Sequence, residues 1–264
     1  SDVYKRQCMN FTRAAQVLNL TQPAVSQHIR YLEEQYDTPL FIREKKKLYL
    51  TDAGQILKDS LETLQSDDHR MKIRMQQSMA GKKGLTFGVT MTIGEYAVIP
   101  SLARFLKAHP QWEIHICYGN TQTLLSRLRE GTLDFAIVEG YFREDLYTTR
   151  ILQKEPFIGV ASSKHIFQKP VSCLRDLTGE RLLLREHGSG TRAILTKILA
   201  LNNLSAEDFS HIIEIENIHA IVSLLREDCG ISFLYQSAVQ KELEDKTLIE
   251  IPLSDFKIAH DFSF

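Results

Sequence analysis

Four polar side chains fall on one side of a predicted helix near the beginning of the chain. Each carries an amide, hydroxyl or guanidinium group: Gln22, Ser26, Gln27 and Arg30. The opposite side is apolar, because Val25, Ile29 and Leu32 recur at helical spacing. Thr21 suits the N-cap and Pro23 suits the first turn, where a missing N–H costs little. Donors of these kinds match base edges and phosphates of nucleic acid.

A basic segment follows this helix. Residues 40–42 and 48–50 are predicted strands, and the cations at their junction are Arg43, Lys45, Lys46 and Lys47. In a winged helix-turn-helix the polar helix enters the major groove, and the cations of the hairpin neutralise phosphates. The alternative is a helical hairpin that packs against a protein partner, and the spacing alone leaves that alternative open.

A second set of donors follows a predicted strand at residues 185–192, Arg-Glu-His-Gly-Ser-Gly-Thr-Arg. Ser189, Gly190 and Thr191 open a predicted helix, and Arg192 adds a guanidinium. Backbone N–H groups and hydroxyls at a helix start suit an anion. The segment lacks both the lysine of a phosphate-binding P-loop and the spacing of a dinucleotide fingerprint. The alternative is a glycine turn that only caps the helix.

Two further segments place polar groups at helix starts. Thr90, Met91 and Thr92 follow the predicted strand that ends at Val89, although Thr92 by itself is equally well explained as an N-cap. Asn217 and His219 begin a later helix, where a single histidine is more often solvated or a cap.

The periodicity divides the chain into three parts. We predict a winged helix-turn-helix over residues 1–51, with a short first helix at 11–19, and a linker helix and hinge over 52–83. An effector-binding domain is predicted over 84–264, with lobe I formed by 84–155 and 259–264 and lobe II by 156–258. The predicted strands of lobe I are 85–89, 113–118 and 135–139, with a helix over 94–108 after the first of them, and the predicted strands of lobe II include 181–184. Alternating strands and helices in both lobes predict an α/β fold with mostly parallel strands and a cleft between the lobes.

Composition narrows the function classes. Residues 1–83 carry 14 Lys and Arg against 10 Asp and Glu, whereas the whole chain has a net charge of −1, so positive charge is concentrated in the predicted DNA-binding part. Four scattered cysteines indicate neither a disulfide framework nor a zinc site and favour a reducing cytoplasm. No G-x-S-x-G, H-E-x-x-H or paired-carboxylate spacing supports an enzyme. A solute-binding protein would explain the two lobes but not the basic winged segment.

Several motifs resemble the LysR-type transcriptional regulators. The matching stretches, in the order and at the distances of that family, are residues 11–15 (Phe-Thr-Arg-Ala-Ala), 21–29 (Thr-Gln-Pro-Ala-Val-Ser-Gln-His-Ile), 32–33 (Leu-Glu), 39–43 (Pro-Leu-Phe-Ile-Arg) and 48–54 (Leu-x-Leu-Thr-x-Ala-Gly). A weaker resemblance extends over essentially the whole chain. The family has an N-terminal winged helix-turn-helix followed by a two-lobed domain similar to periplasmic binding proteins.

The resemblance implies a bacterial regulator that binds promoter DNA in the cytoplasm, at the nucleoid, and needs no cofactor or metal. It also implies a homodimer through the linker helix, usually assembled into a tetramer, with contact to RNA polymerase possible. A small anion between the lobes is the expected effector, with sulfite-like, phosphate-bearing and carboxylate species as candidates. The helix start at Asn217 and His219 matches the last pocket wall of the family, so the resemblance makes these two residues candidate effector contacts. Family members have a helix ahead of residue 11 and another beyond residue 264, so we expect this chain to be truncated at both ends and to bind its operator weakly.

Overall fold

The computed structural model describes residues 11, 15–16, 18–44, 47–79, 83–167 and 169–264. The chain forms two compact units, Ser1–Asp68 and His69–Phe264. Much of the predicted first helix, with Thr12 and Ala14, lies outside the described residues, as do Lys45 and Lys46.

The first unit contains helix α1 (Gln22–Gln35), which begins as the sequence predicts. The Thr21 hydroxyl accepts a hydrogen bond from the backbone N–H of Ala24 at 3.3 Å, and Pro23 lies in the first turn. Val25 is buried, while Ile29 is partly buried. One face of α1 therefore packs inward and leaves the polar face toward solvent.

A two-stranded antiparallel wing follows α1. It consists of β1 (Phe41–Glu44) and β2 (Lys47–Leu50), with Phe41 opposite Leu50. The Glu33 carboxylate on α1 fixes the start of the wing, because its Oε1 accepts hydrogen bonds from the backbone N–H groups of Leu40 at 2.8 Å and Phe41 at 3.2 Å. Charge-assisted bonds of this kind are stronger than those between neutral groups.

Helix α2 (Asp52–Met79) is the predicted linker helix. Thr51 caps it by accepting from the N–H of Gly54 at 2.9 Å, and the same hydroxyl donates to the Pro39 carbonyl at 2.7 Å. The helix has 28 residues, which corresponds to about 42 Å at 1.5 Å per residue. Its apolar stripe is largely exposed, with Leu64 at 65% and Met75 at 61% of their surface accessible.

The second unit contains one mixed sheet among its described residues. Its strands are β3 (Lys83–Val89), β4 (Trp112–Tyr118), β5 (Phe135–Glu139), β6 (Ile151–Ser162), β7 (Arg181–Leu184), β8 (His211–Glu214), β9 (Ile231–Tyr235), β10 (Leu248–Glu250) and β11 (Ile258–Ser263). The order is β4-β3-β5-β11-β6-β9-β7-β8, with β10 on β6. The predicted α/β fold with two lobes is confirmed, but the prediction of mostly parallel strands is wrong, because β6, β10 and β11 pair antiparallel with their neighbours. Lobe I contains the parallel strands β3, β4 and β5, and lobe II contains the parallel strands β7, β8 and β9.

Helices cover both lobes. They are α3 (Ile99–Ala108), α4 (Thr121–Arg129), α5 (Gly190–Leu201), α6 (Ile218–Arg226) and α7 (Gln240–Glu244). The sequence predicted one helix over residues 94–108, and this was wrong in detail. A π-helix (Ile93–Ala97) precedes α3, and Pro100 in the first turn of α3 has no N–H to continue the earlier hydrogen-bond ladder. Such π-helical turns occur frequently at functional sites.

An aromatic cluster fills the junction between the lobes. The ring of Tyr235 on β9 packs edge-on against Phe157 of β6 at 5.2 Å and against Phe262 of β11 at 4.9 Å between centroids. All three rings are fully buried. Because β6 and β11 run antiparallel between the lobes, this cluster ties the two halves of the sheet together.

The lobes meet closely where β5 ends and α5 begins. A Cβ atom on Gly190 would lie 2.2 Å from the carbonyl oxygen of Glu139 and 2.8 Å from its Cγ. A Cβ on Gly140, whose φ is +89°, would lie 2.5 Å from the Cα of Gly190. Both positions therefore require glycine, since real Cβ atoms do not approach backbone so closely.

We expect Gly190→Ala to destabilise the second unit by about 1–3 kcal/mol, because the added methyl group must push β5 and α5 apart. Urea unfolding followed by the fluorescence of Trp112, the one tryptophan of the chain, measures the loss in this unit. Gly179→Ala is the matched control: a Cβ there has no neighbour within 4 Å, and we expect a change within about 0.5 kcal/mol. Equal losses in both variants would contradict the close approach.

We expect Glu33→Ala to loosen the wing, because it leaves the N–H groups of Leu40 and Phe41 without their charged acceptor, a loss of about 1.5–3 kcal/mol. Hydrogen exchange of the peptide containing these two amides should accelerate at least about tenfold. Glu34→Ala, on the adjacent and exposed position of α1, should leave that exchange rate unchanged. The same acceleration in both variants would show that Glu33 does not hold the wing.

Candidate functional site

The predicted DNA-contacting side chains of α1 lie at its solvent side. Gln22, Gln27 and Arg30 are exposed, and Ser26 is partly exposed. The Gln22 side-chain amide donates to the Ser26 hydroxyl at 2.9 Å, which holds these two side chains together on one helix face. Thr21 and Pro23 shape the start of the helix.

The wing contributes one described cationic side chain to this surface. Arg43 is exposed on β1. The backbone of Lys47 pairs with that of Glu44, whereas Lys45 and Lys46 lie outside the described residues.

In the second unit the carboxyl ends of parallel strands from both lobes converge on a cleft of about 550 Å³. It is lined by Met91, Tyr118, Gly119, Asn120, Thr123, Arg185, Glu186, His187, Glu214, Glu216 and Asn217. Ligands of open α/β sheets bind at this edge, outside the carboxyl ends of the strands. Two of the predicted effector residues, Met91 and Asn217, line the cleft.

The guanidinium groups at the cleft are engaged by carboxylates. Arg185 is buried and donates to both oxygens of Glu186, at 2.8 and 3.1 Å. Arg192 contacts the Glu214 carboxylate, donates to the Arg185 carbonyl at 3.0 Å, and lies 3.0 Å from the His187 ring. The positive charge that the sequence assigned to an anion is therefore largely paired within the protein.

Three hydroxyl groups close in sequence to cleft-lining residues are buried and, within the part of the chain that the structure describes, have no hydrogen-bond partner. They belong to Thr90 and Thr92, which follow β3, and to Ser189, which precedes α5. Thr92 has helical backbone angles and its side chain makes no cap hydrogen bond, so it is not simply an N-cap. Ser189 occupies the N-cap position of α5, yet its hydroxyl does not cap the helix either. Capping thus explains neither hydroxyl.

Glu139, the last residue of β5, was not predicted from the sequence as a site residue. Its carboxylate is buried, with 1% of the residue exposed, and Oε1 accepts from the Thr191 hydroxyl at 2.8 Å. Burial raises the pKa of Glu139 to about 7, and the Thr191 hydrogen bond and the Arg185 charge only partly oppose this. A carboxylate at the carboxyl end of an otherwise apolar strand, followed by glycine, was the signal available in the sequence.

Asn217 and His219 have different positions from each other. The Asn217 side chain caps α6 by accepting from the N–H of Ala220 at 3.0 Å and also lines the cleft. His219 instead contacts lobe I, with Nε2 2.7 Å from Oε2 of Glu95 and Nδ1 3.4 Å from the Tyr96 hydroxyl. His219 therefore links the π-helix of lobe I to α6 of lobe II.

The described residues contain neither a metal-binding cluster nor a membrane-spanning helix. No described group of three or more His, Cys, Asp and Glu side chains is arranged to hold a metal ion. No described helix combines the length and apolar character needed to cross a membrane.

Comparison with known families gives two matches that together cover most of the chain. Residues 6–55 match the bacterial regulatory helix-turn-helix protein, lysR family. Residues 81–264 match the LysR substrate binding domain.

Individual relatives agree with these matches. The HTH-type transcriptional regulator CysL of Bacillus subtilis is 28% identical over 97% of this chain and 85% of its own length. The HTH-type transcriptional activator CmpR of Synechocystis is 32% identical over 85% of this chain and 73% of its own length.

Among solved structures, the CcmR regulatory domain of Synechocystis in complex with 2-PG has a TM-score of 0.60 at 21% identity and covers 69% of this chain and 86% of that one. This likeness supports the fold of the second unit. The two family matches and the identity to CmpR go further: the chain belongs to the LysR family and is a DNA-binding transcriptional regulator with an effector-binding domain, not an enzyme.

Proposed function

We propose that this protein is a sequence-specific regulator controlled by a small anion bound between the two lobes. The observation that carries the proposal is the set of buried, unpartnered hydroxyls of Thr90, Thr92 and Ser189. A buried hydroxyl without a partner costs free energy, so a site that keeps three of them is built to give them an external partner. The related CcmR domain holds 2-PG, which supports a small-molecule effector here.

Helix starts favour an anion as that partner. The α5 helix begins at Gly190 and runs for 12 residues, so its free N–H groups and dipole present partial positive charge beside Ser189 and Thr191. Thr92 immediately precedes the π-helix in lobe I. We propose that Thr90, Met91 and Thr92 contact the effector from lobe I, and that Ser189, Gly190 and Thr191 contact it from lobe II.

We assign the other predicted residues supporting positions. Arg192 stabilises the loop before α5 through Glu214 and the Arg185 carbonyl, and it reaches an anion only by releasing that carboxylate. Asn217 lines the cleft described above, which we call the outer cleft because the unpartnered hydroxyls are not among its lining residues. His219 links the lobes through Glu95. Separation of the lobes during effector entry would therefore break the contact between His219 and Glu95.

The first unit binds promoter DNA in this proposal. Gln22, Ser26, Gln27 and Arg30 face the major groove, Thr21 and Pro23 set the start of the helix beside the backbone, and Arg43 with Lys45, Lys46 and Lys47 contacts phosphates. Exposure of the α1 side chains and of Arg43 supports this assignment. Hydrogen-bond donors near the N-terminus of a recognition helix have the geometry for base readout.

Oligomer formation follows from the apolar stripe of α2. Leu61, Leu64, Met71 and Met75 are all more than half exposed in the single chain, at roughly heptad spacing. We propose that α2 pairs with the same helix of a second copy to form a dimer, that dimers assemble into a tetramer, and that the protein acts in the cytoplasm at the nucleoid and contacts RNA polymerase from the promoter. Closure of the lobes on the effector would then change the spacing of the DNA-binding units.

Base contacts and phosphate contacts should respond differently to mutation. We expect Gln27→Ala to relax base preference at one operator position, because Gln27 reads a base edge. Arg43→Ala should leave preference intact and lower the slope of log affinity against log salt by about 0.9, because one phosphate contact is lost. Operator selection from a randomised pool, together with binding titrations at several salt concentrations, measures both effects. Altered preference in Arg43→Ala with none in Gln27→Ala would reverse the assignment.

Effector binding should depend on the buried hydroxyls. Calorimetric titration of sulfite, phosphate and small carboxylates should identify an anion that binds wild type. Thr92→Val and Ser189→Ala should each weaken the binding of that anion by about 1.5–3 kcal/mol, roughly tenfold or more, because each removes a hydrogen bond to a charged group. Arg192→Ala should weaken it less, since Glu214 already occupies the guanidinium.

Thr178→Val is the control for effector binding. Its hydroxyl donates to the Arg175 carbonyl at 3.0 Å, and Thr178 does not line the cleft. Loss of this hydroxyl should not change the affinity for the anion. Unchanged affinity in both Thr92→Val and Ser189→Ala would show that the effector does not bind beside these two hydroxyls. A preference for neutral apolar ligands would contradict the proposal that the effector is an anion.

A further inference from the structure

One oxygen of the Glu139 carboxylate is left without a hydrogen bond. Oε1 accepts from the Thr191 hydroxyl, but Oε2 is buried and has no partner among the described residues. The other polar groups proposed to hold the effector are hydroxyls and N–H groups, all of which can donate. Glu139 is the one carboxylate placed among them, beside Gly190 at the start of α5.

The groups around Glu139 do not neutralise it. Arg185 lies close enough to lower its pKa, but the Arg185 guanidinium is held by both oxygens of Glu186. Hydrogen bonding from the nearby Thr90 hydroxyl lowers the same pKa, although neither this hydroxyl nor Oε2 has a described partner at full hydrogen-bonding geometry. Tyr235 is buried with an unpartnered hydroxyl, and burial followed by the charge of Glu139 raises its pKa. Ionised Glu139 therefore retains capacity at Oε2 to accept a further hydrogen bond.

We propose that Glu139 determines which anions the site accepts, by accepting a hydrogen bond from a hydroxyl group that the oxyanion itself carries. The proposal rests on the proposed function and adds the class of effector: a hydrogen-bearing oxyanion, of which hydrogenphosphate is the simplest, in preference to one without a proton. The hydroxyls of Thr90, Thr92, Ser189 and the N–H groups of α5 would bind the remaining oxygens.

Phosphate and sulfate separate these two classes. Near pH 8.5 both are tetrahedral dianions of similar size, but hydrogenphosphate carries one O–H and sulfate carries none. Sulfate would therefore place one of its oxygens against Oε2 of Glu139. Because both oxygens can only accept hydrogen bonds, each would lose its hydrogen bonds to water without gaining a new one. Sites built around one hydrogen bond can reject a ligand lacking the matching group by about 10⁴-fold or more. We expect the affinity for phosphate to exceed that for sulfate by at least about 100-fold here.

The pH dependence has a definite sign. The pKa of Glu139 is raised to about 7, so the carboxylate is ionised at pH 8.5 and largely protonated at pH 6. Protonated Glu139 becomes a donor and can bind sulfate, so sulfate affinity should rise as the pH falls through about 7. Burial is the main cause of this raised pKa and the Glu186 charge adds to it, while Thr191, Arg185 and Thr90 lower it.

Glu139→Gln changes only the group in question. Its amide oxygen can still accept from Thr191, and the amide nitrogen replaces the free acceptor with a donor. Calorimetric titrations of sodium phosphate and sodium sulfate into wild type, Glu139→Gln and the control Glu227→Gln, at pH 8.5 and 6, test the proposal. Glu227 is exposed at the end of α6, outside the cleft lining.

We expect wild type and Glu227→Gln to prefer phosphate by at least about 100-fold at pH 8.5 and to gain sulfate affinity at pH 6. Glu139→Gln should bind sulfate with little dependence on pH and should lose the preference for phosphate. The wild-type pH series tests the proposal even if the variant is unstable.

Equal binding of phosphate and sulfate to wild type at pH 8.5 would overturn the role of Glu139. If Thr92→Val still weakened the binding of both anions, the proposed position of the effector site would remain supported. Binding of neither oxyanion at either pH would overturn the oxyanion class, while a carboxylate that depends on Thr92 and Ser189 would leave the proposed function intact.

Discussion

The effector-binding domain depends on one close approach between its lobes. The end of β5 meets the start of α5 so tightly that Gly190 has no room for a Cβ beside Glu139, and Gly140 adopts a positive φ next to it. At this contact lie the Thr191 hydroxyl, the Glu139 carboxylate and the unpartnered hydroxyl of Ser189. The proposed effector would touch both lobes at once here, so its binding energy would act directly on their separation.

Two kinds of polar group surround this contact, and they have different tasks. The charged groups of the outer cleft pair with one another, as Arg185 does with Glu186 and Arg192 with Glu214, and they shape the loops. The buried hydroxyls and Glu139 retain unused hydrogen-bonding capacity. Because an unsatisfied buried group costs more than a satisfied one gains, the second set is the one from which the proposed effector would gain affinity and selectivity.

Most of the fold could be predicted from the sequence, because the buried strands are continuous apolar runs bounded by turn residues. The strands at 135–139 and 181–184 and the long α2 helix were predicted with little or no error. Less could be predicted of the site. Glu139 was read only as the end of a strand, and the pairing of Arg192 with Glu214 joins residues far apart in sequence. The π-helix was missed because hydrophobic periodicity does not distinguish it from an α-helix over five residues.

The most direct test of a small anion held between the lobes is a crystal structure of the chain grown with arsenate, a phosphate analogue whose arsenic atom is located by anomalous scattering. We predict an arsenic peak within hydrogen-bonding reach, through its oxygens, of the hydroxyls of Thr92 and Ser189 and of Oε2 of Glu139. An arsenic peak confined to the outer cleft beside His187 and Arg192, with the buried hydroxyls still unpartnered, would contradict the account.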